Sequence, residues 1–510
     1  MIEVEQESRT MALMKSTVTI AIYEVAVLVS GFVVPKIMLQ FYGSATNGLV
    51  SSITQLLNYV ILIEAGLTAS LIYTLYKPLA KKDYQAINRI YSAGWKYYNR
   101  VGCYCYGVVI VAAIAYPFII GDVPGVNRFE VAGLILTMGL ASALNFWVMG
   151  KYNIIITADK KTYIYNVVRI VYTVIFMTII ALAAVCQISI LWARIVGLLG
   201  TGVQALIVVL YVKKHYPLLD HHENPDKSAL KLRGDAFAQE IASTVQLGAP
   251  QVILTFVSRD MLIVSVYSIF NIVIGGIISL ISLFGTGSTA VFGELIASDD
   301  KPALRKAFSS LETMILMVAT VLFSVSFVMI MPFIRVYTAG ITDIAYDLPV
   351  VGFLAVLNCL VFTIQAPEKT LVRAAGLYRE TRYRAIIQTL LCVVVGTVLC
   401  IWFDIYGVLI GLLVSNLYRC VDLLLFAHKY ITVMSFIQTL QKWMLVLAVC
   451  VVFIIADHFM VYSVDSYLDW LFTAVIWTIA AVTITVVLFI LFFKEEVVDI
   501  KNRVVSLVRK

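Results

Sequence analysis

The stretch that decides the fold is GLVSSITQLLNYVILIEAGLTASLIYTL, Gly48 to Leu75, which runs directly into YKPLAKKDYQAINRIYSAGWKYYNR, Tyr76 to Arg100. The first run carries a single charge, Glu64, and is long enough to cross a bilayer as a helix, since about 20 apolar residues suffice at a rise of about 1.5 Å each. The second is basic, and an excess of Lys and Arg marks the cytoplasmic side. About 220 positions later FGTGSTAVFGELIASDDKPALRKAFS, residues 284 to 309, repeats the order of a Gly-rich helix end, a polar turn and a basic amphipathic segment. Gly66, Thr68 and Ala69 align with Gly287, Thr289 and Ala290; Asp83, Ala86, Arg89, Tyr91 and Ser92 align with Asp300, Ala303, Lys306, Phe308 and Ser309. This pattern predicts an internal duplication.

The rest of the chain agrees with a membrane setting. Of 510 residues, 61% are hydrophobic and 14% charged, with a mean hydropathy of +0.93; soluble proteins use about half and about a quarter. The expectation is an all-α polytopic membrane protein. Apolar runs at residues 17–34, 48–75, 101–120, 129–156, 163–186, 188–212, 237–257, 261–296, 308–331, 350–366, 385–403, 406–427, 443–455 and 468–493 predict about fourteen spanning helices. Strands are excluded because these runs do not alternate, and an open sheet edge in lipid leaves its hydrogen bonds unmade. With the N-terminus inside, about 31 of the 38 Lys and Arg fall in cytoplasmic segments, and Lys36, Arg128, Arg259 and Arg335 fall outside. Both termini are therefore expected in the cytoplasm, and the polar start MIEVEQESR with no small-residue cleavage site predicts an uncleaved first helix.

The polar interval Lys213 to Asp235 follows the sixth helix and reads as a linker between two pseudo-symmetric six-helix lobes. The predicted organisation is an N-terminal lobe over 1–212, a cytoplasmic linker over 213–235, a C-terminal lobe over 236–428, and an extra helix pair with a tail over 429–510. His215, His221 and His222 in the linker lack matching ligands, so a solvated loop is expected there and no metal. The eight cysteines sit in apolar runs without zinc spacing and read as small packing residues. No phosphate loop, zinc motif or nucleophile elbow occurs, and the outer loops are too short for a catalytic domain. No cofactor, no nucleic-acid partner and no enzymatic activity are expected.

An ionisable group inside a bilayer is costly and faces a bundle interior or a wet cavity. Glu24 and Glu64, near the middles of the first two helices, suit either a cavity role or a buried pair with a neighbouring helix. Arg194, a few residues into the sixth helix, suits an anion contact, snorkelling or a carboxylate pair. Amides supply uncharged polar faces: Asn58, Asn145, Gln246, Gln251, Asn271 and Asn358 are candidates for a cavity lining. Pro250 interrupts a backbone bond in the seventh helix and predicts a kink or hinge. The basic segments at 77–100, 301–306 and 369–384 form a ring of positive charge that suits anionic lipids and a phosphate-bearing head group.

The pattern PKIMLQFYGSATNGLVSSITQLLNYVILIEAGLTASLIYTLYKPLAKKD, Pro35 to Asp83, resembles the bacterial polysaccharide transport family, the Wzx-like lipid-linked oligosaccharide flippases of the superfamily that also holds multidrug and toxin extruders and the peptidoglycan precursor flippase. The resemblance runs over essentially the whole chain. It implies two lobes that open a central cavity alternately, with a polyprenyl-diphosphate-linked glycan as substrate, a bacterial cytoplasmic membrane location, and polysaccharide assembly proteins as partners. Carrying about two phosphate charges outward from a negative interior is favourable by roughly 4.6 kcal/mol per 100 mV, so no coupled ion is required. The competing readings are a cation-coupled drug exporter on the same fold, a glycan polymerase or ligase, and a scaffold for envelope glycan assembly.

Overall fold

The computed structural model describes residues 9–62, 67–226, 234–286, 288–460 and 462–508. Among them the only β-pairing is an isolated bridge between Val123 and Val126, and the chain is otherwise a succession of helices. In order these are α1 (Arg9–Ile61), α2 (Leu67–Lys81), α3 (Tyr84–Ile119), α4 (Arg128–Leu144), α5 (Lys151–Ala158), α6 (Thr162–Val185), α7 (Ile190–His215), α8 (Gly234–Ile253), α9 (Met261–Thr286), α10 (Ser288–Ala297), α11 (Lys301–Tyr337), α12 (Pro349–Ile364), α13 (Ala366–Ala374), α14 (Tyr378–Ala427), α15 (Ile437–Phe459), α16 (Tyr467–Phe492) and α17 (Lys494–Val508). Wider π-helical turns at Asn145–Gly150, Leu254–Ser258 and His428–Thr432 follow α4, α8 and α14.

Among the described residues, twelve stretches are long and apolar enough to cross a membrane. Two of them, Met14–Ile61 and Tyr378–Thr432, have 48 and 55 residues, which is about 70 to 80 Å of helix against a hydrocarbon core of about 30 Å. Each contains one residue that leaves helical geometry, Gly43 (φ 81°, ψ 166°) in α1 and Asp404 (φ 44°, ψ −126°) in α14. Counted as two arms apiece, they give the fourteen spans expected from hydropathy.

The two arms of α14 are held together by small residues. A Cβ on Gly411 would stand 2.4 Å from the Gly396 backbone, and one on Gly407 would stand 2.1 Å from the Leu399 carbonyl oxygen. Only glycine permits so close an approach, the small-residue packing typical of helices in lipid.

Two compact units make up the chain: residues 1–244 with 259–265, and residues 245–258 with 266–510. Unit 1 has a core in which Leu71, Leu75, Ile87, Tyr98, Phe146 and Ile155 pack together from α2, α3, the first π-turn and α5. In unit 2 the last two spans, α15 and α16, pack on α11 through Val328, Met329, Phe453, Trp477 and Ala481. The outward face of α16 exposes Phe472, Ile476 and Ile479, a patch that suits lipid rather than water.

The helix starts are chemically marked. Asn127 and Glu130 form a reciprocal capping box at α4, and Ser466 and Asp469 form another at α16. Two of the cations expected on the outer side are neutralised locally, Arg128 by Asp122 and Arg335 by Asp347, both at 3.0 Å. Six of the eight cysteines are buried, as expected of packing residues, whereas Cys103 and Cys186 are exposed.

Candidate functional site: an uncharged chamber in unit 2

The end of α8, the middle of α9, α12 and the second arm of α14 surround a cavity of about 60 Å³, lined by Gln246, Asn271, Asn358 and Asn416 with Tyr267 and Phe270 among its apolar walls. None of its lining residues is an acid or a base. The amides form one connected network. Gln246 Nε2 donates to Asn416 Oδ1 at 2.7 Å, and Gln388 Nε2 reaches the same oxygen at 3.5 Å. Asn416 Nδ2 donates to Asn358 Oδ1 at 3.3 Å, and Asn358 Nδ2 donates to the carbonyls of Leu354 and Leu409 at 2.9 and 3.0 Å. Gln246, Asn358, Gln388 and Asn416 are all buried, so three helices that share no sequence neighbourhood are tied through their side chains.

At this size the chamber holds a few waters, well short of the roughly 300 Å³ of a typical ligand pocket. What it offers is chemistry: amide donors and acceptors beside aromatic faces, with no formal charge. Pro250 lies in α8 between Gln246 and the π-turn Leu254–Ser258. Because proline lacks an N–H and crowds the preceding turn, the helix widens where it approaches its end. Gln251 is buried, and its carbonyl accepts the Thr255 hydroxyl at 2.8 Å; it does not line the chamber.

The polar residues of unit 1 are not gathered in this way. Glu24 is exposed on α1 beside Tyr23. Arg169 of α6 bonds to the Tyr23 hydroxyl and stacks its guanidinium 3.9 Å from that ring centroid. Arg194 lies 5.2 Å from the Phe176 ring, with its Nε buried and without a hydrogen-bond partner. Asn58 and Asn145 are exposed, and neither makes a side-chain hydrogen bond among the described residues. Glu64 lies outside the described residues.

The linker keeps the solvent exposure expected of it but is also anchored: residues 216–226 lie along α3 within unit 1, none of them buried. Asn88 Nδ2 donates to the Leu218 carbonyl at 3.0 Å, and Ser92 Oγ donates to those of His221 and Glu223 at 2.9 and 2.7 Å. His221 stacks on Trp95 with centroids 4.3 Å apart, and Lys151 covers the same indole at 3.9 Å. Asp220, His221 and His222 bring one ligand atom each within 4.8 Å of one another, whereas His215 turns to Tyr211 instead.

Spans, breaks and units together define a multi-pass membrane protein. An inward-facing multidrug resistance MATE family transporter of the MOP superfamily matches over 85% of this chain and 98% of its own, with a TM-score of 0.65 and 12% identity. Lipid II flippase MurJ in an inward closed conformation matches over 92% of this chain and 99% of its own, with a TM-score of 0.63 and 13% identity. A MOP superfamily transporter from Pyrococcus furiosus covers 86% and 94% at a TM-score of 0.52 and 13% identity. At such identities the likeness is one of fold. No family model matches the sequence, and no curated protein does.

Proposed function

We propose that this chain is a flippase that moves a polyprenyl-diphosphate-linked oligosaccharide from the inner to the outer leaflet for surface polysaccharide assembly, by alternating access of its two units. The observation that carries this reading is the uncharged amide and aromatic lining around Gln246, Asn271, Asn358 and Asn416. Sugar hydroxyls are both donors and acceptors, and amides match both roles. The likeness in fold to a lipid II flippase over 92% of the chain supports the same reading. So do the cytoplasmic Lys and Arg expected at 77–100 and 369–384, which suit a diphosphate and anionic lipids.

A cation-coupled small-molecule exporter is the second reading, favoured by the equally close likeness to a multidrug transporter. It predicts that organic cations bind the purified protein and that Glu24→Gln or Glu64→Gln abolishes transport. The deciding experiment deletes the gene and analyses lipid-linked sugars in the host. Build-up of an inner-leaflet intermediate, reversed by the intact gene and not by Asn416→Leu, supports the flippase; an unchanged lipid pool together with drug sensitivity overturns it.

A further inference from the structure

Unit 2 buries a second constellation, separate from the chamber, where α13 and α15 pack near α11. Lys442 of α15 is 1% exposed; its Nζ donates to Glu312 Oε2 at 2.7 Å and to Ser309 Oγ at 3.2 Å. Glu368 of α13 is 0% exposed and lies in the electrostatic field of both Glu312 and Lys442. Among the described residues, neither of its carboxylate oxygens receives a hydrogen bond, and Glu312 Oε1 receives none either. Of the two carboxylates Lys442 bonds to Glu312 alone, so Glu368 is a second buried carboxylate with no bonded counter-ion among the described residues. A second, unbalanced anion there is far more costly than a neutral acid. A proton needs no cavity, and it supplies the donor that these oxygens lack.

We propose that Glu368, Glu312 and Lys442 form a proton-binding site in which Glu368 holds the proton, and that the site is loaded from the last helix, α17. The route is a line of hydrogen bonds. Ser309 Oγ donates to Glu496 Oε1 of α17 at 3.3 Å, Lys442 donates to Ser309, and Lys442 donates to Glu312. Glu496 is partly exposed, so the line starts at solvent. Loading balances as a chain of hops: Glu496 takes a proton from water, Lys442 gives one to Glu312, the Ser309 hydroxyl turns to give its proton to Lys442 and receives that of Glu496, and Glu312 passes its proton to Glu368. One proton has moved from solvent to Glu368, and every relay group is restored.

The groups facing the site are few. His428, whose Nε2 meets Thr439 Oγ1 at 3.0 Å, feels Glu312 and Lys442. From α14 the Cys420 thiol faces Glu368, while Arg419 and Arg384 are engaged with Asp422. Lys369 sits 4.0 Å from the Phe362 ring centroid and feels Arg419 and Arg373. The one charged residue of α10, Glu294, is exposed, and α12 has none.

Infrared difference spectroscopy of the full-length protein in nanodiscs tests the site through the carbonyl stretch of a protonated carboxyl group. At neutral pH the wild type is expected to show this band and Glu368→Gln to lack it. Glu312→Gln also loses it, because Glu368 then becomes the sole counter-ion of Lys442. Lys442→Met roughly doubles it. Ser309→Ala leaves its amplitude alone and slows its exchange in deuterated water several-fold. Thermal unfolding identifies variants that fail to fold; if Lys442→Met does, the two Gln variants decide. A wild type with no Glu368-dependent band, a band that survives Glu312→Gln, or one displaced by sodium at constant pH overturns the proposal. Unchanged exchange in Ser309→Ala overturns the route.

Discussion

Asp83 and Asp300 cap the helices that follow them by the same bond, each carboxylate accepting the amide N–H three residues on, from Ala86 and Ala303, at 3.0 Å in both. The backbone agrees as well. Lys82 and Asp299 stand at φ 53° and 52°, and the amides of Asp83 and Asp300 donate back to Pro78 and Leu295 at 3.0 and 3.2 Å, the bond that closes a helix C-terminus when the preceding residue is left-handed. Two stretches that align weakly in sequence therefore form the same helix–turn–helix corner, one in each unit.

Removing either cap costs a defined amount. Asp83→Ala and Asp300→Ala should each destabilise the protein by about 1 kcal/mol, and Asn at either position should recover most of it. Thermal unfolding in detergent measures this; equal midpoints for the Ala and Asn variants would show that the cap bonds contribute nothing.

The arms of α14 tolerate no side chain at their crossing. Gly411→Leu must push them apart at Gly396, with a cost of about 1–3 kcal/mol or more for overpacking. Because Gln388 and Asn416 sit on opposite arms, the same change should break the amide network and abolish transport. A variant that unfolds at the wild-type temperature and transports normally would contradict the close approach.

Breaking the buried pair should be worse than removing it. Lys442→Met leaves Glu312 without its partner and is expected to cost about 3–5 kcal/mol, whereas adding Glu312→Leu should recover much of that loss. Denaturation of both variants checks the order.

The strap on α3 should respond to acid. Burial first, then the neighbouring His222 and Lys151, hold the His221 imidazole below its ordinary value of 6.5, with Asp220 opposing them. A base whose value is depressed on docking binds its proton more readily undocked, so docking is at full strength above 6.5 and weakens as pH falls through that value toward the docked one. The protection of residues 216–226, hydrogen exchange divided into the intrinsic rate at each pH, should fall on acidification in the wild type and be flat with pH in His221→Phe. The same pH dependence in both would assign the effect to another group.

The helices were legible because a bilayer demands long apolar runs, and the runs around Gly48 and Tyr406 survive any uncertainty about their ends. Of the chamber, Gln246, Asn271 and Asn358 stood out as amides in apolar surroundings. Asn416 and Gln388 meet the same criterion and were passed over. The Asn416 oxygen accepts from Gln246 and Gln388, 170 and 28 positions away, which no local pattern contains. Lys442 reads from the sequence as one more cytoplasmic cation at a helix start; only packing shows that it is 1% exposed against Glu312. Docking of the linker was missed for a similar reason. Its polarity resembles that of any loop, and the groups that hold it, Asn88, Ser92 and Trp95, lie in another basic segment.

The neutrality of the amide chamber has an electrical consequence. Side chains without formal charge sense little of the voltage across a bilayer, so rearranging Gln246, Asn358 and Asn416 should displace almost no gating charge. Any current that accompanies a cycle would then come from the passenger or from charges outside this chamber, a proton taken up at Glu368 among them.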